Sequence, residues 1–271
     1  MKSLLIITLL AYAVAAIHAL LAFVNKRRSA EHTALWALGA GFTLHTSALA
    51  LDWARDGHYP LFGQRETFSF LAWALVIAYG LALYRYRARA LGALTMPAVT
   101  LLLLVALVVN GGDAAQLNSV TSGTAGWLFP VHTTLLICAY AAFFVVFAAS
   151  LMYLWQEREL KLKTFSAFFH RLPSLTTVED IGATAAGVGF TLLSLGILTG
   201  LVWSSARSGR MWHNDPKEVF AALTWLLYLT MIHYRAQWRG RKAAWAGVAG
   251  FAFVVFTFLG TRWLGGYHVF G

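Results

Sequence analysis

Apolar residues fall into eight long runs separated by short polar or basic intervals. The runs cover residues 4–24, 34–51, 68–84, 94–109, 129–154, 181–203, 219–233 and 243–264. A helix that crosses the hydrocarbon core needs roughly 20 predominantly apolar residues. The pattern therefore predicts an all-α, polytopic membrane bundle of eight transmembrane helices, the fourth and seventh short. Lys26-Arg27-Arg28 follows the first run directly. That placement reads as a stop after a full span rather than as a cleavage site. Between residues 155 and 180, apolar and cationic residues mix at helical spacing. This predicts a helix that continues out of the membrane and then lies on its surface, with His170 and Arg171 interfacial. The Gly-, Ser- and Thr-rich interval 110–126 reads as a linker or a mobile flap. No tandem repeat and no separate soluble domain is visible, so residues 1–271 read as one transmembrane domain.

Composition agrees with the pattern. The 271 residues are 59% hydrophobic and 12% charged, against about 45–50% and about 25% in an ordinary soluble domain. The net charge of +10 does not indicate nucleic acid, because the cations lie in short loops between apolar runs. With the N-terminus outside, 14 of the 21 Lys and Arg residues fall on the inner side. The positive-inside rule then puts both termini outside. Cys138 is the one cysteine of the chain. An internal disulfide, a CxxC redox motif and a c-type haem attachment motif are all excluded.

One polar interval carries a dense signature: Asp215-Pro216-Lys217-Glu218, just ahead of the seventh run. Pro216 falls in the first helical turn, where its missing N–H costs nothing. Asp215 takes the N-cap, and Glu218 stands at capping-box spacing. A capped membrane helix accounts for these four residues alone. Their surroundings go further. Gly209, Trp212 and Asp215-Pro216-Lys217-Glu218, followed by Leu223-Thr224-Trp225, resemble the tryptophan-rich "WWD" signature of the cytochrome c assembly family, the haem-handling membrane proteins that include CcsA/ResC and CcmC. Ser208, Met211, Asn214 and Phe220 stand where that family has aromatic residues. The resemblance extends through His233, residues 238–241 and Gly266-Tyr267-His268. It is weaker at 57–73 and 132–140. Glu66 belongs to the weaker part, and a carboxylate at the start of the third helix also suits the helix dipole.

The nine histidines are many for so apolar a chain, and ionisable side chains in membrane helices usually have a partner or a function. The predicted topology puts His132, His268 and the loop 204–218 on the outer side. The resemblance implies that His132 and His268 are the two axial ligands of a haem iron, with the loop around Trp212 and Asp215 covering the ring. The ordinary alternative is a helix-end residue for His132 and a frayed terminal one for His268. The resemblance also assigns His233 to an internal haem, with His18, His45 or another subunit as partner. For His18 and His45 the ordinary alternative is a buried ring bonded to a carbonyl or a hydroxyl. Arg207, Arg210 and Lys217 face outward against the charge rule and suit either haem propionates or lipid head groups.

The resemblance thus implies non-covalent haem b and its presentation at the outer face of a bacterial inner (plasma) membrane. The haem would be attached there to an apocytochrome c, with a CcsB/ResB-like membrane subunit as partner, and the chain would be the haem-bearing part of a haem lyase complex. The losses at Ser208, Met211 and Asn214 favour a second expectation, a HemX-like regulatory or scaffold protein. A small-solute transporter fits less well, because matching pairs of short, Gly/Pro-broken helices are absent from the sequence.

Overall fold

The spans form because apolar runs of this length cannot leave backbone N–H and C=O groups unpaired in lipid. The computed structural model describes residues 2–25, 27–109, 126–164, 169–234, 237 and 239–259. Among these residues all regular structure is helical. The helices are α1 (Lys2–Asn25), α2 (Arg28–Asp56), α3 (Gln64–Tyr86), α4 (Gly92–Val108), α5 (Leu128–Leu162), α6 (Leu175–Ser208), α7 (Pro216–His233) and α8 (Arg241–Leu259). Short 3-10 turns cover Arg89–Leu91 and Phe169–Arg171.

Each predicted run overlaps one of these helices, in order, and residues 260–264 of the last run lie outside the described residues. Most helix ends reach beyond the apolar runs. Helix α2 begins six residues before the apolar run and ends five after it, and α5 runs on to Leu162. A hydrophobic run marks only the part of a helix that lipid must cover, whereas the backbone ladder continues into polar sequence. Among the described residues, seven helices are long and apolar enough to cross a membrane: α1 to α6 and α8, with α4 taken together with its preceding turn. Helix α7, of 18 residues, is outside that set. The chain is a multi-pass membrane protein. Residues 110–125 of the predicted linker and His268 lie outside the described residues.

The chain divides into two compact units, one of Met1–Gly111 with Leu154–Val178, the other of Gly112–Tyr153 with Glu179–Gly271. In the first, α1 packs on α2 and α4, and α3 packs on α4. A Cβ added at Gly41 would lie 2.6 Å from the Tyr12 ring, so the glycine makes the groove in which that ring lies. The Tyr12 hydroxyl then reaches His45 Nδ1, one turn further along α2, at 3.2 Å. His45 Nε2 is 2.9 Å from Ser69 Oγ on α3. One imidazole, buried with no accessible surface, so ties three helices together. We expect His45→Leu to leave two buried hydroxyls unsatisfied, destabilising by about 1–3 kcal/mol. A lowered midpoint of thermal unfolding in detergent checks this. Haem loss at an unchanged midpoint would instead assign the ring a ligand role.

In the second unit α6 carries glycines at seven-residue intervals, Gly182, Gly189 and Gly196, with Gly200 one turn beyond. Side chains of α5 fill the resulting trough. A Cβ at Gly189 would lie 2.5 Å from the Phe143 ring, and one at Gly196 would lie 2.7 Å from Leu136. Small residues let membrane helices approach closely where no hydrophobic effect drives them together. Phe143 also stacks on Tyr228 of α7, with ring centroids 3.7 Å apart and planes 14° from parallel. Helix α8 packs on α7, through ring contacts such as Phe220–Phe256 at 4.5 Å.

Candidate functional site

The capping residues at the start of α7 behave as their spacing predicts. Asp215 is extended, at φ −70° and ψ 140°, and its carboxylate accepts from the Lys217 N–H at 2.8 Å. Glu218 reaches back, accepting from the N–H of Asp215 at 3.3 Å and of His213 at 2.8 Å. Pro216 occupies the first turn. These bonds satisfy N–H groups that a helix start otherwise leaves orphaned. Further along α7, the indole N–H of Trp225 donates to Ser194 Oγ on α6 at 2.8 Å. The Leu-Thr-Trp part of the signature therefore seats α7 on α6.

Between Ser208 and Pro216 the chain forms a short irregular loop. Gly209 and Asn214 have φ of +70° and +57°, and asparagine is among the few non-glycine residues that enter this left-handed region readily. Trp212 is 42% exposed and Met211 60% exposed. The Trp212 indole N–H donates to Asn214 Oδ1 at 2.8 Å, which fixes the ring while leaving apolar surface outward. Arg207 lies over the Trp203 ring, 5.4 Å from its centroid.

His132 stands in the first turns of α5. Its Nδ1 is 2.7 Å from the carbonyl oxygen of Gly196. A carbonyl only accepts, so Nδ1 carries the proton, and the lone pair of the neutral ring is on Nε2. The ring lies flat enough against α6 that a Cβ at Gly200 would come within 2.5 Å of its Cε1. Phe129, one turn earlier, packs on the buried Trp203 with centroids 5.3 Å apart. The start of α5 and the end of α6 thus share one end of this unit. At 1.5 Å per residue, roughly 12 Å of helix separates Gly200 from Ser208.

The other sequence candidates are distributed as follows. His233 is exposed at the last residue of α7 and meets Tyr234 edge-on, centroids 5.0 Å apart. His18, half-buried on α1, donates Nδ1–H to its own helix at the Val14 carbonyl, 2.9 Å away. His45 has both nitrogens on hydroxyls, as described above. Glu66 accepts from the N–H groups of Phe62 at 2.7 Å and Gly63 at 3.2 Å, a structural cap for α3. Among the described residues, no group of three or more His, Cys, Asp or Glu side chains could hold a metal ion by itself.

Sequence reasoning missed His213, with Ser204 and Ser208 beneath it. His213 Nε2 is 2.9 Å from Ser208 Oγ, and Nδ1 is 3.3 Å from Ser204 Oγ. Its position in the signature is unrestricted, so no motif marks it. The i, i+4 spacing of the two serines on the last turns of α6 was the one available sign.

An all-helical multi-pass membrane protein with a capped aromatic loop beside an oriented imidazole is the class these features define. The family model for "Cytochrome C assembly protein" matches residues 62–268, and the chain belongs to that family. Its place is therefore in cytochrome c biogenesis. "Cytochrome c biogenesis protein CcsA" of Chlamydomonas reinhardtii is 30% identical over 243 residues, covering 86% of this chain and 67% of that protein. The Chlorella vulgaris protein of the same name is 29% identical, over 90% and 88% of the two chains. That of Prochlorococcus marinus strain MIT 9301 is 28% identical, over 84% and 81%. Among solved structures, "Cytochrome c Heme Lyase CcmF" superposes with a TM-score of 0.64 at 16% identity, over 96% of this chain. This chain spans 45% of that one, and the likeness is one of fold.

Proposed function

We propose that the protein binds haem b non-covalently and presents it at the outer membrane face for attachment to an apocytochrome c. The supporting observation is the orientation of His132. A histidine that ligates a metal usually donates its other ring N–H to a carbonyl or carboxylate, which fixes the tautomer and the ring plane. His132 makes that second bond, to the Gly196 carbonyl at 2.7 Å. The donor set suits haem, whose porphyrin supplies the four equatorial nitrogens and leaves axial positions for imidazole.

In this reading His132 and His268 are the axial ligands. Trp212 covers part of the ring, Asp215 and Glu218 hold the loop, and Arg207, Arg210 and Lys217 meet the propionates. When bound, the macrocycle carries the vinyl groups to which the thiols of an apocytochrome CxxCH motif add. The chain's own residues orient it, shield its apolar faces and occupy the iron until transfer. His233 serves a second haem on the inner side. A CcsB/ResB-like membrane subunit completes the assembly in a bacterial plasma membrane, with lipid around the helices.

The test is the absorption spectrum of the protein purified in detergent from haem-replete membranes. A dithionite-reduced b-type spectrum that fades in His132→Ala and His268→Ala supports the proposal. No haem in the wild-type chain overturns it and favours a HemX-like regulatory or scaffold role. The polar replacements Ser208 and Asn214 in the signature are the feature that makes this second reading worth testing.

A further inference from the structure

We infer that His213 is the positioning residue of the loop that carries Trp212, acting as a polar clamp in place of aromatic packing. The clamp is read from the loop itself; its consequence for haem rests on the function proposed above.

Loop residues 209–215 have no helical or strand ladder to hold them, and the His213 ring provides the missing fixture. Ser204 Oγ is 3.0 Å from the Arg210 carbonyl and so donates its proton there. Toward His213 it can then only accept, which assigns the proton to Nδ1, at 3.3 Å. Glu218 Oε1, 3.4 Å from the same Nδ1, shares that proton. Nε2 is 2.9 Å from Ser208 Oγ, whose single hydroxyl proton is shared between that nitrogen and the Ser204 carbonyl, also 2.9 Å away. The main-chain N–H of His213 donates to the other oxygen of Glu218. One residue therefore joins the last two turns of α6, the start of α7 and, through Ser204, the loop's own Arg210 carbonyl.

The side-chain directions fit this role. The His213 and Glu218 side chains are 13% and 12% exposed, whereas Met211 and Trp212 are exposed. The histidine faces inward and its neighbours face outward, so holding the one fixes the others. Two of the positions where the family signature has tryptophan, 208 and 214, are also the positions that make polar bonds within the loop. Ser208 bonds the His213 ring, and Asn214 bonds the Trp212 indole. This loop is held by hydrogen bonds, and its tryptophan is presented on a fixed base.

Three variants of the full chain in detergent test the clamp: His213→Phe, which keeps a ring without nitrogens; His213→Gln, which keeps a donor and an acceptor; and Ser208→Ala, which leaves the ring and removes the Nε2 partner together with that hydroxyl's own bonds to Ser204 and Arg210. Amide hydrogen exchange of residues 209–215 is measured on the haem-free protein, and haem retention and the reduced spectrum on the loaded one. We expect exchange to rise about tenfold in His213→Phe and several-fold in Ser208→Ala, with α6 and α7 unchanged, since each removes bonds of ordinary hydrogen-bond strength. Gln should restore most of the protection. Haem retention should fall in the same order and be rescued by Gln, with the reduced maximum shifted in Phe alone. Wild-type exchange rates in His213→Phe would overturn the clamp, because ring packing would then hold the loop. Fast exchange with unchanged haem retention and spectrum would overturn its positioning role. A wild-type chain without haem overturns the proposed function, and the exchange comparison alone then decides the clamp.

Discussion

Replacing His132 with glycine is expected to cut the haem carried by the purified protein about tenfold or more, and added imidazole is expected to restore it. On the function proposed above, the substitution removes one of the two imidazoles that would hold the iron. The site left behind is specific in shape. Gly196 contributes a carbonyl that accepted the Nδ1 proton at 2.7 Å, and Gly200 contributes a bare Cα against which the ring lay. Free imidazole entering that space can make the same bond and offer the same lone pair. Glycine early in α5 costs about 1 kcal/mol of helix stability relative to alanine, so His132→Ala is the matched control for folding. Reduced spectra and haem-to-protein ratios, with and without imidazole, are the readout. Full haem in His132→Gly without imidazole would remove this histidine from the ligand set.

The parts of this molecule that were legible beforehand are those set by local sequence. The cap on α7 is one: Asp215, Pro216 and Glu218 act on backbone groups within three residues, so spacing alone determines their bonds. The order of the helices is another, because each apolar run must satisfy its own backbone in lipid. The extension of α2 was illegible in the same signal, since a helix leaving lipid no longer needs apolar side chains, whereas the continuation of α5 to Leu162 follows the apolar and cationic residues mixed at helical spacing after Trp155. The site divides likewise. His132 was singled out by the family resemblance and its predicted side, but the carbonyl that orients it is 64 residues away. No sequence period announces such a pair. Gly182, Gly189 and Gly196 do form a period, seven residues, yet the period says only that something packs closely there. That Phe143, Leu136 and His132 are what packs follows from the register of α5 against α6, a property of two helices together.

That register yields a second large effect, separable from the first by which glycine is changed. A methyl group at Gly200 would lie 2.5 Å from His132 Cε1 and 2.6 Å from Nδ1. Real Cβ atoms do not approach so closely, so Gly200→Ala has to move the imidazole, and moving it breaks the bond to Gly196. Gly189→Ala makes an equal clash, 2.5 Å, with Phe143. Phe143, however, is fully buried and stacked on Tyr228, so the strain is taken up by the core of the unit. Overpacking of this kind costs about 1–3 kcal/mol. We therefore expect Gly189→Ala to lower the thermal midpoint while haem retained per folded molecule stays near wild type. Gly200→Ala should do the reverse: a small change in midpoint and a loss of haem approaching that of His132→Ala, although the ligand itself is unchanged. The histidine is only half-buried and can swing aside, which is why the clash costs orientation rather than stability. Loss of the bond that orients a metal-binding histidine commonly weakens metal binding by about 10–100-fold. Haem titration of the two variants, with thermal unfolding run in parallel, separates the outcomes. Equal haem loss in both would mean that general loosening of the α5–α6 seam, and not the aim of one imidazole, governs binding.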